Sequence, residues 1–315
     1  MKAAVVERYG PPEVVEVREV PAPSVQGRSG RVLVRVRAAA VTSADGRIRG
    51  ARFPRGFGPF ARLAFGVRRP RRQVLGGVFS GVVEQVGPGV TGLAVGDEVC
   101  GMTGTRFGTH AELVVARADR LVAKPAEVSH EDAAGVLFGG TTALHYLGDR
   151  VRPGHRVLVN GASGAIGTTA VQLARRAGGR VTGVCSGANA DLVRSLGAEE
   201  VVDHTTTPLT AAPGPYDVVL DTVGNIDIAG GRALLAPGGV LLLAVADLGQ
   251  TLRARGDVVA GPSPEEPEHF ARLLELVASG DLRVVVSRTL PLADVVEAHR
   301  VVDTGRKVGN VVLTP

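Results

Sequence analysis

Two periodicities of apolar and polar positions divide the chain near residue 126. Before it, short apolar runs rich in β-branched residues recur at 3–6, 14–20, 32–40, 77–86, 98–101 and 111–115. Turn formers separate them, among them Gly10-Pro11-Pro12, Gly87-Pro88-Gly89 and Gly96-Asp97, which is the pattern of an all-β region. One stretch, 46–72, breaks it with Phe53, Phe57, Phe60, Phe65 and nine arginines, and reads as a long loop or a pair of short helices. From about Glu131, helical spacing alternates with short apolar strands at 156–160, 180–185, 200–203, 216–221, 239–245 and 258–260. That alternation predicts an α/β fold with a doubly wound parallel sheet. A last helix is expected over about 265–279, and the tail is strand-like again at 283–287 and 310–313.

At 155–178, "HRVLVNGASGAIGTTAVQLARRAG", the two patterns touch. Val157-Leu158-Val159 suits a buried parallel strand, and Ile166, Ala170, Val171, Leu173, Ala174 and Ala177 recur at helical spacing until Gly178-Gly179. Gly161, Gly164 and Gly167 therefore fall where a strand hands over to a helix. Small residues there let backbone N–H groups approach a phosphate at the positive helix end. The spacing departs by one residue from G-x-G-x-x-G, so a plain tight turn is the competing reading of the motif alone.

Length and composition narrow the class. A chain of 315 residues has room for two cores, and 44% hydrophobic with 21% charged residues is ordinary for a soluble protein. No apolar run approaches the roughly 18 residues of a membrane span. Cys100 and Cys185 are far apart and no leader-like segment opens the chain, so a reducing, cytoplasmic setting is expected. The net charge is +5, and all but three of the 36 basic residues are arginine. That bias reads as a GC-rich genome rather than as nucleic-acid binding.

Seven segments, in this order, carry a family likeness: "VLVRVRAAAVTSADGRIRG", "FSGVVEQVGPGVTGLAVGDEV", "AAGVLFGGTTALHYL", "VLVNGASGAIGTTAVQLA", "VRSLGAEEVVDH", "YDVVLDTVG" and "AHRVVDTGRKVGNVVL". Over nearly its full length the chain resembles the medium-chain dehydrogenase/reductase superfamily, and within it the zinc-free quinone oxidoreductase and enoyl-reductase branch. The resemblance implies a GroES-like β domain over 1–125, a Rossmann domain over 126–280 and a return of 281–315 into the first domain. The cofactor would lie in the cleft between them. Cofactor contacts are implied for Gly161, Ala162, Ser163, Gly164, Ala165, Ile166 and Gly167 of the turn. Thr142, His204, Val223, Gly224, Asn225, Ala244, Val245 and Ala246 are implied as well, with Asn310 on the nicotinamide side. A homodimer is the expected assembly.

Alcohol dehydrogenases of this superfamily hold a Lewis-acid zinc through Cys and His with one open position. The matching stretches here are Thr42-Ser43-Ala44-Asp45 and Gly77-Val78, the four-cysteine lobe is missing, and the seven histidines show no ligand spacing. No metal is expected. The accessible reaction is then conjugate reduction, in which hydride reaches the β-carbon of an enone or enoyl thioester, or a quinone. A few hydrogen-bond donors suffice for the charge that develops on oxygen. Thr42 falls where relatives often carry Asn, and Arg47 where they carry Tyr, so these two are the catalytic candidates. Thr42 either donates to substrate or is satisfied at its strand end; Arg47 either holds an enolate or carboxylate or is solvated. Tyr146 reads as a packing residue at the domain border. The Arg- and Phe-rich stretch either docks an anionic phosphopantetheine, coenzyme A or carrier protein, or forms a solvated lid.

The second strand of the doubly wound region ends in Ser186-Gly187-Ala188-Asn189, with no carboxylate to accept from a ribose 2′-OH. Ser186 can bond a 2′-phosphate, so NADPH is expected. NADH is the alternative, because no Lys or Arg lies in 185–190. Two other functions stay open at this point: an enzyme acting on a carrier-bound or polyketide intermediate, and a non-catalytic nucleotide-binding protein.

Overall fold

The computed structural model of the protein describes residues 1–315. β1 (Lys2–Val6) and β2 (Val15–Glu19) pair antiparallel. β3 (Arg31–Ala40) is the centre of the main β region, where Val32, Val34 and Val36 alternate into a core with Phe79, Val83 and Val99. Two eight-residue helices follow it, α1 (Ser43–Gly50) and α2 (Gly58–Phe65), so the stretch that interrupts the β pattern holds two short helices with loops after each. α1 is pinned from below by Arg49, which is fully buried. Its guanidinium donates to His299 Nδ1 at 3.3 Å, to the Gly10 carbonyl at 2.5 Å and to Asp303 Oδ2 at 2.5 Å. β4 (Val78–Val86), β5 (Glu98–Met102), β6 (Leu113–Arg117) and β7 (Leu121–Ala123) complete the antiparallel layers. The three-residue β7 has no counterpart in the apolar pattern because so short a run carries no period.

α3 (His130–Leu147), capped by the Ser129 hydroxyl on the Asp132 N–H, leads into the parallel sheet. There follow β8 (Arg156–Asn160), α4 (Ala165–Arg176), β9 (Arg180–Cys185), α5 (Ala190–Ser195), β10 (Glu200–Asp203) and β11 (Tyr216–Asp221). α6 (Ile228–Ala233), β12 (Leu235–Leu243), α7 (Leu248–Arg253), β13 (Val258–Ala260) and α8 (Pro267–Ala278) finish it. The strand order is β10-β9-β8-β11-β12-β13, all parallel. Chain direction across the sheet therefore reverses between β8 and β11, and ligands of such sheets sit outside the carboxyl ends of the strands at that point.

The tail crosses back. β14 (Val286–Pro291) pairs parallel with β15 (Asn310–Thr314), and β15 pairs antiparallel with β3 through Val312↔Ala40 and Leu313↔Ala39. α9 (Val295–Asp303) lies between them and packs on α1. β14 starts three residues later than the apolar run suggests, because Val284 and Val285 pack on the neighbouring cores before the strand begins. The Gly309 N–H donates to the Ser163 carbonyl at 2.8 Å, which ties the tail to the glycine turn. No helix is long and apolar enough to cross a membrane.

Candidate active site

The site grows from the β8–α4 turn. Gly161 takes φ +83°, and a Cβ there would stand 2.5 Å from Thr222 Oγ1. A Cβ on Gly167 would stand 2.1 Å from the Gly161 carbonyl oxygen, so glycine lets the first turn of α4 close onto the strand end. Gly161 and Ala162 both donate to the Val184 carbonyl, and Ala162 is buried under them. Gly164 is the N-cap of α4 and has no side chain to offer, so the first N–H groups of the helix are without a capping partner. That open positive end suits an anion.

Opposite this turn, the β11 end is organised by Asp221, a fully buried carboxylate that the sequence pattern does not single out. It accepts from Asn160 Nδ2 at 2.9 Å and from the N–H groups of Val223, Gly224 and Ile226. Asn160 Nδ2 also donates to Asn225 Oδ1 at 2.7 Å. The loop 222–226 is thereby fixed in place beside the glycine turn. A signal was present, an Asp closing an apolar strand and followed by Thr-Val-Gly, but burial had to be seen to give it weight.

A cavity of about 140 Å³ lies where the α4 N-terminus meets the ends of β3 and β15. Thr42, Ser43, Phe138, Ala165, Ile166 and Asn310 are on its wall, and Lys307 is the one ionisable side chain there. Thr42 is buried, and its hydroxyl donates to Asp45 Oδ2 at 2.7 Å while the Asp45 carboxylate also accepts from the Thr42 N–H at 2.8 Å. Its proton is thus committed to the cap of α1 and differs from a free donor aimed at substrate. The neighbouring Ser43 hydroxyl bonds no other protein atom and is the free one on this wall. Lys307 Nζ donates to the Gly309 carbonyl at 2.5 Å, and burial pushes its ammonium down to about 8. Asn310 donates to the Val285 carbonyl at 3.1 Å, leaving its second amide hydrogen. Thr142 spends its hydroxyl on the Phe138 carbonyl within α3.

Arg47 stands elsewhere. It lines a separate hollow of about 440 Å³ at the cleft mouth, with Arg52, Phe53 and Arg55 on one side and Gly224, Asn225, Val245 and Ala246 on the other. Burial lowers its guanidinium pKa, the effect of desolvation alone. Ala244 is held by its N–H on the Asp221 carbonyl oxygen at 2.9 Å, and the residues after it turn outward because β12 ends at Leu243. Tyr146 is buried with its hydroxyl between the carbonyls of Leu243 and Gly261, a packing role that fits the domain-border reading.

At the far end of the crevice, Ser186 and Ser163 both accept from Asn189 Nδ2, at 3.1 and 3.3 Å. His204 is exposed and its N–H donates to the Cys185 carbonyl. The fold adds a carboxylate that the linear sequence hides: Asp203 lies against Gly187, where a Cβ would stand 2.4 Å from Asp203 Oδ2. Its Oδ1 is engaged by the Thr205 N–H and hydroxyl, and these hydrogen bonds hold the acid below the usual carboxylate range.

Residues 28–126 match the alcohol dehydrogenase GroES-like domain and 196–313 the family described as zinc-binding dehydrogenase. The chloroplastic quinone-oxidoreductase QR1 of Triphysaria versicolor is 30% identical over 322 residues, covering 94% of this chain and 93% of that protein. The chain belongs to the medium-chain dehydrogenase/reductase superfamily, in its zinc-free quinone-oxidoreductase branch. Members of this branch share the fold closely: the quinone oxidoreductase of Coxiella burnetii superposes with a TM-score of 0.90 at 28% identity, over 100% of this chain and 99% of that one. A mycobacterial protein solved with NADPH gives 0.81 at 28% identity, over the whole of both chains. The spectinabilin polyketide synthase protein NorB of Streptomyces orinoci is 36% identical over 275 residues, 80% of this chain but only 12% of that much longer protein. As a member of the superfamily the chain is an oxidoreductase. Despite the name of its second family, no three His, Cys, Asp or Glu side chains are grouped to hold a metal ion. Asp45, the acid nearest the expected ligand position, is consumed by its three hydrogen bonds to Thr42 and to the Gly76 N–H.

Proposed function

We propose that the protein is an NADPH-dependent reductase of activated C=C bonds, in enones or enoyl thioesters, or of quinones, working without a metal. The observation that carries this reading is the convergence of an open helix N-terminus, a free hydroxyl and one desolvated ammonium on a single cavity. The glycine turn fits a dinucleotide: its closed backbone leaves room at Gly164, and the free N–H groups of α4 would hold the pyrophosphate. When bound, a reduced nicotinamide supplies the hydride. Charge then gathers on the substrate's carbonyl oxygen, where the Ser43 hydroxyl donates a hydrogen bond. The Lys307 ammonium gives its proton to the α-carbon and regains one from water, which completes addition of H₂ across the double bond. Arg47, at the mouth, binds the anionic or carbonyl end of a longer substrate rather than the reacting atoms. The choice of NADPH rests on the acid-free segment 186–189; Asp203, which bonds Thr205 through Oδ1 and faces Gly187 with Oδ2, is the one acid that weighs toward NADH.

The test is reduction of a small panel of enones, enoyl thioesters and quinones with 4-deuterated NADPH. An enone product should carry deuterium at the β-carbon and solvent hydrogen at the α-carbon, with the carbonyl intact. Reduction of the carbonyl to an alcohol, or no acceptor reduced at all, overturns the proposal.

A further inference from the structure

Residues 66–74, between α2 and β4, form a loop whose backbone is held at many points. Tyr9 Oη donates to the Gly66 carbonyl at 2.5 Å, the Arg71 N–H to Phe65 at 2.8 Å, Arg62 Nη1 to Val67 at 2.9 Å and the Val6 N–H to Gln73 at 2.7 Å. Gly66, at φ +129°, has Arg69 O 1.9 Å from where a Cβ would be, and Pro70 is buried beneath. On this fixed frame Arg68, Arg69, Arg71 and Arg72 stand exposed around one hollow of about 810 Å³, with Arg106 joining from the turn after β5. None of the five is in an ion pair, and no carboxylate lines the hollow. Glu7 and Glu16 line an adjoining recess with Arg69, and both are bound to Arg18, at 2.9 and 2.5 Å; Glu265 lines a second recess with Arg106.

Five like charges around one concavity repel, and a polyanion that enters removes that repulsion while meeting donors already in place. A path of aromatic rings leads from the hollow to the cleft. Phe107, between Arg106 and Gly108, packs on Phe65 at 5.8 Å, and Phe65 stacks on Phe53 at 6.0 Å, which itself lines the cleft mouth with Arg47. Phe107 holds φ +53°, a costly backbone for a bulky residue, and the ring contact it gains lies on this path.

We propose that the arginine hollow is a binding site for the phosphate-bearing nucleotide handle of a coenzyme A thioester, whose acyl arm crosses the phenylalanine path into the cleft. The proposal rests on the thioester arm of the function proposed above. Several phosphates on one small molecule match several guanidiniums round one concavity, whereas a single phosphate or carboxylate would leave most of them unpaired. The hollow shares no residue with the glycine turn, so it does not duplicate the dinucleotide site.

Calorimetric titration of the full chain with coenzyme A, 3′-dephospho-coenzyme A and pyrophosphate tests the site without turnover. Coenzyme A should bind, and loss of the 3′-phosphate should weaken it by roughly 5-fold or more. R68E/R71E should weaken coenzyme A by roughly 30-fold, and R68Q/R71Q by about half that in free-energy terms. NADPH affinity and reduction of a free enone should be unchanged in both. Coenzyme A that fails to bind, or binds equally to both double variants, overturns the site. So does binding of a phosphopantetheinylated carrier protein when coenzyme A itself does not bind. Enone reduction without coenzyme A binding sinks the site and leaves the proposed function standing; coenzyme A binding with no acceptor reduced does the reverse.

Discussion

Two strand-to-helix turns meet at the cavity, and they end in opposite ways. At β8–α4 the helix N-terminus is left open: Gly164 is the cap, no side chain answers the first N–H groups, and the turn is closed by backbone alone. At β3–α1 the N-terminus is shut by its own residues, in a capping box made by Thr42 and Asp45. The open end is chemically incomplete and suits a ligand's phosphates. The closed end is complete, and its use is to hold Ser43, the next residue, at the cavity wall. Proximity to a cavity thus does not make a hydroxyl available; what matters is whether its proton is already spent.

Breaking the open turn should have the largest effect. In Gly167→Val a Cβ would meet the Gly161 carbonyl and the Ala162 Cα at 2.1 and 2.7 Å, so strand and helix must part. Dinucleotide affinity, read by quenching or calorimetry, should fall by roughly 100-fold or more. Thermal stability should drop as well. Near-normal NADPH binding in that variant would mean the pyrophosphate does not sit on α4.

The next effect belongs to the cavity between the two turns. Lys307→Met should lower kcat by about 10- to 100-fold, or about 1.4–2.7 kcal/mol, with NADPH affinity little changed. Burial lowers the ammonium to about 8, and the protonated form is the donor, so wild-type kcat should be level below that pH and fall above it. Lys307→Arg keeps the charge and should move the descending limb beyond the measurable range. A wild-type rate that is flat to pH 10, or a limb that persists in Lys307→Met, removes Lys307 from the proton transfer.

The open turn was readable in the chain and the closed one was not, for a physical reason. A strand, three glycines and an apolar helix face are all local, so periodicity and spacing carry them to the doubly wound sheet and to a strand-to-helix turn at its carboxyl edge. Side-chain availability is not local. Thr42 looks like a donor until Asp45 is seen folded back upon it, and Ser43, an exposed residue, gains weight only from the cavity it borders. Lys307, which the sequence pattern does not single out, enters that wall because β15 crosses back to pair with β3 through Val312↔Ala40 and Leu313↔Ala39; the family likeness already implies that return and, with it, Asn310. Asp203 shows the same limit beside the loop after β9. It lies fourteen or more positions from the loop it faces, so a scan of 185–190 for acids passes it by.

The smallest effect sharpens the comparison most, because it sets adjacent hydroxyls against each other. If the β3–α1 end is closed, Thr42→Ala removes a cap. It should then cost about 1 kcal/mol of stability, read in denaturant, and leave turnover nearly unchanged once the protein is folded. Ser43→Ala removes a hydroxyl with no structural partner, so stability should hold while kcat falls by about 3- to 10-fold. The contrast works because both residues border the same cavity, Thr42 buried with its proton on Asp45 at 2.7 Å and Ser43 exposed with its hydroxyl on no protein atom. Asp45→Asn adds a control, since it weakens the box while leaving both hydroxyls in the chain, and it should follow Thr42→Ala in stability. Should Thr42→Ala instead lower kcat with stability intact, the hydroxyl turns from Asp45 toward substrate during the reaction, and the two turns are less different than their resting hydrogen bonds make them.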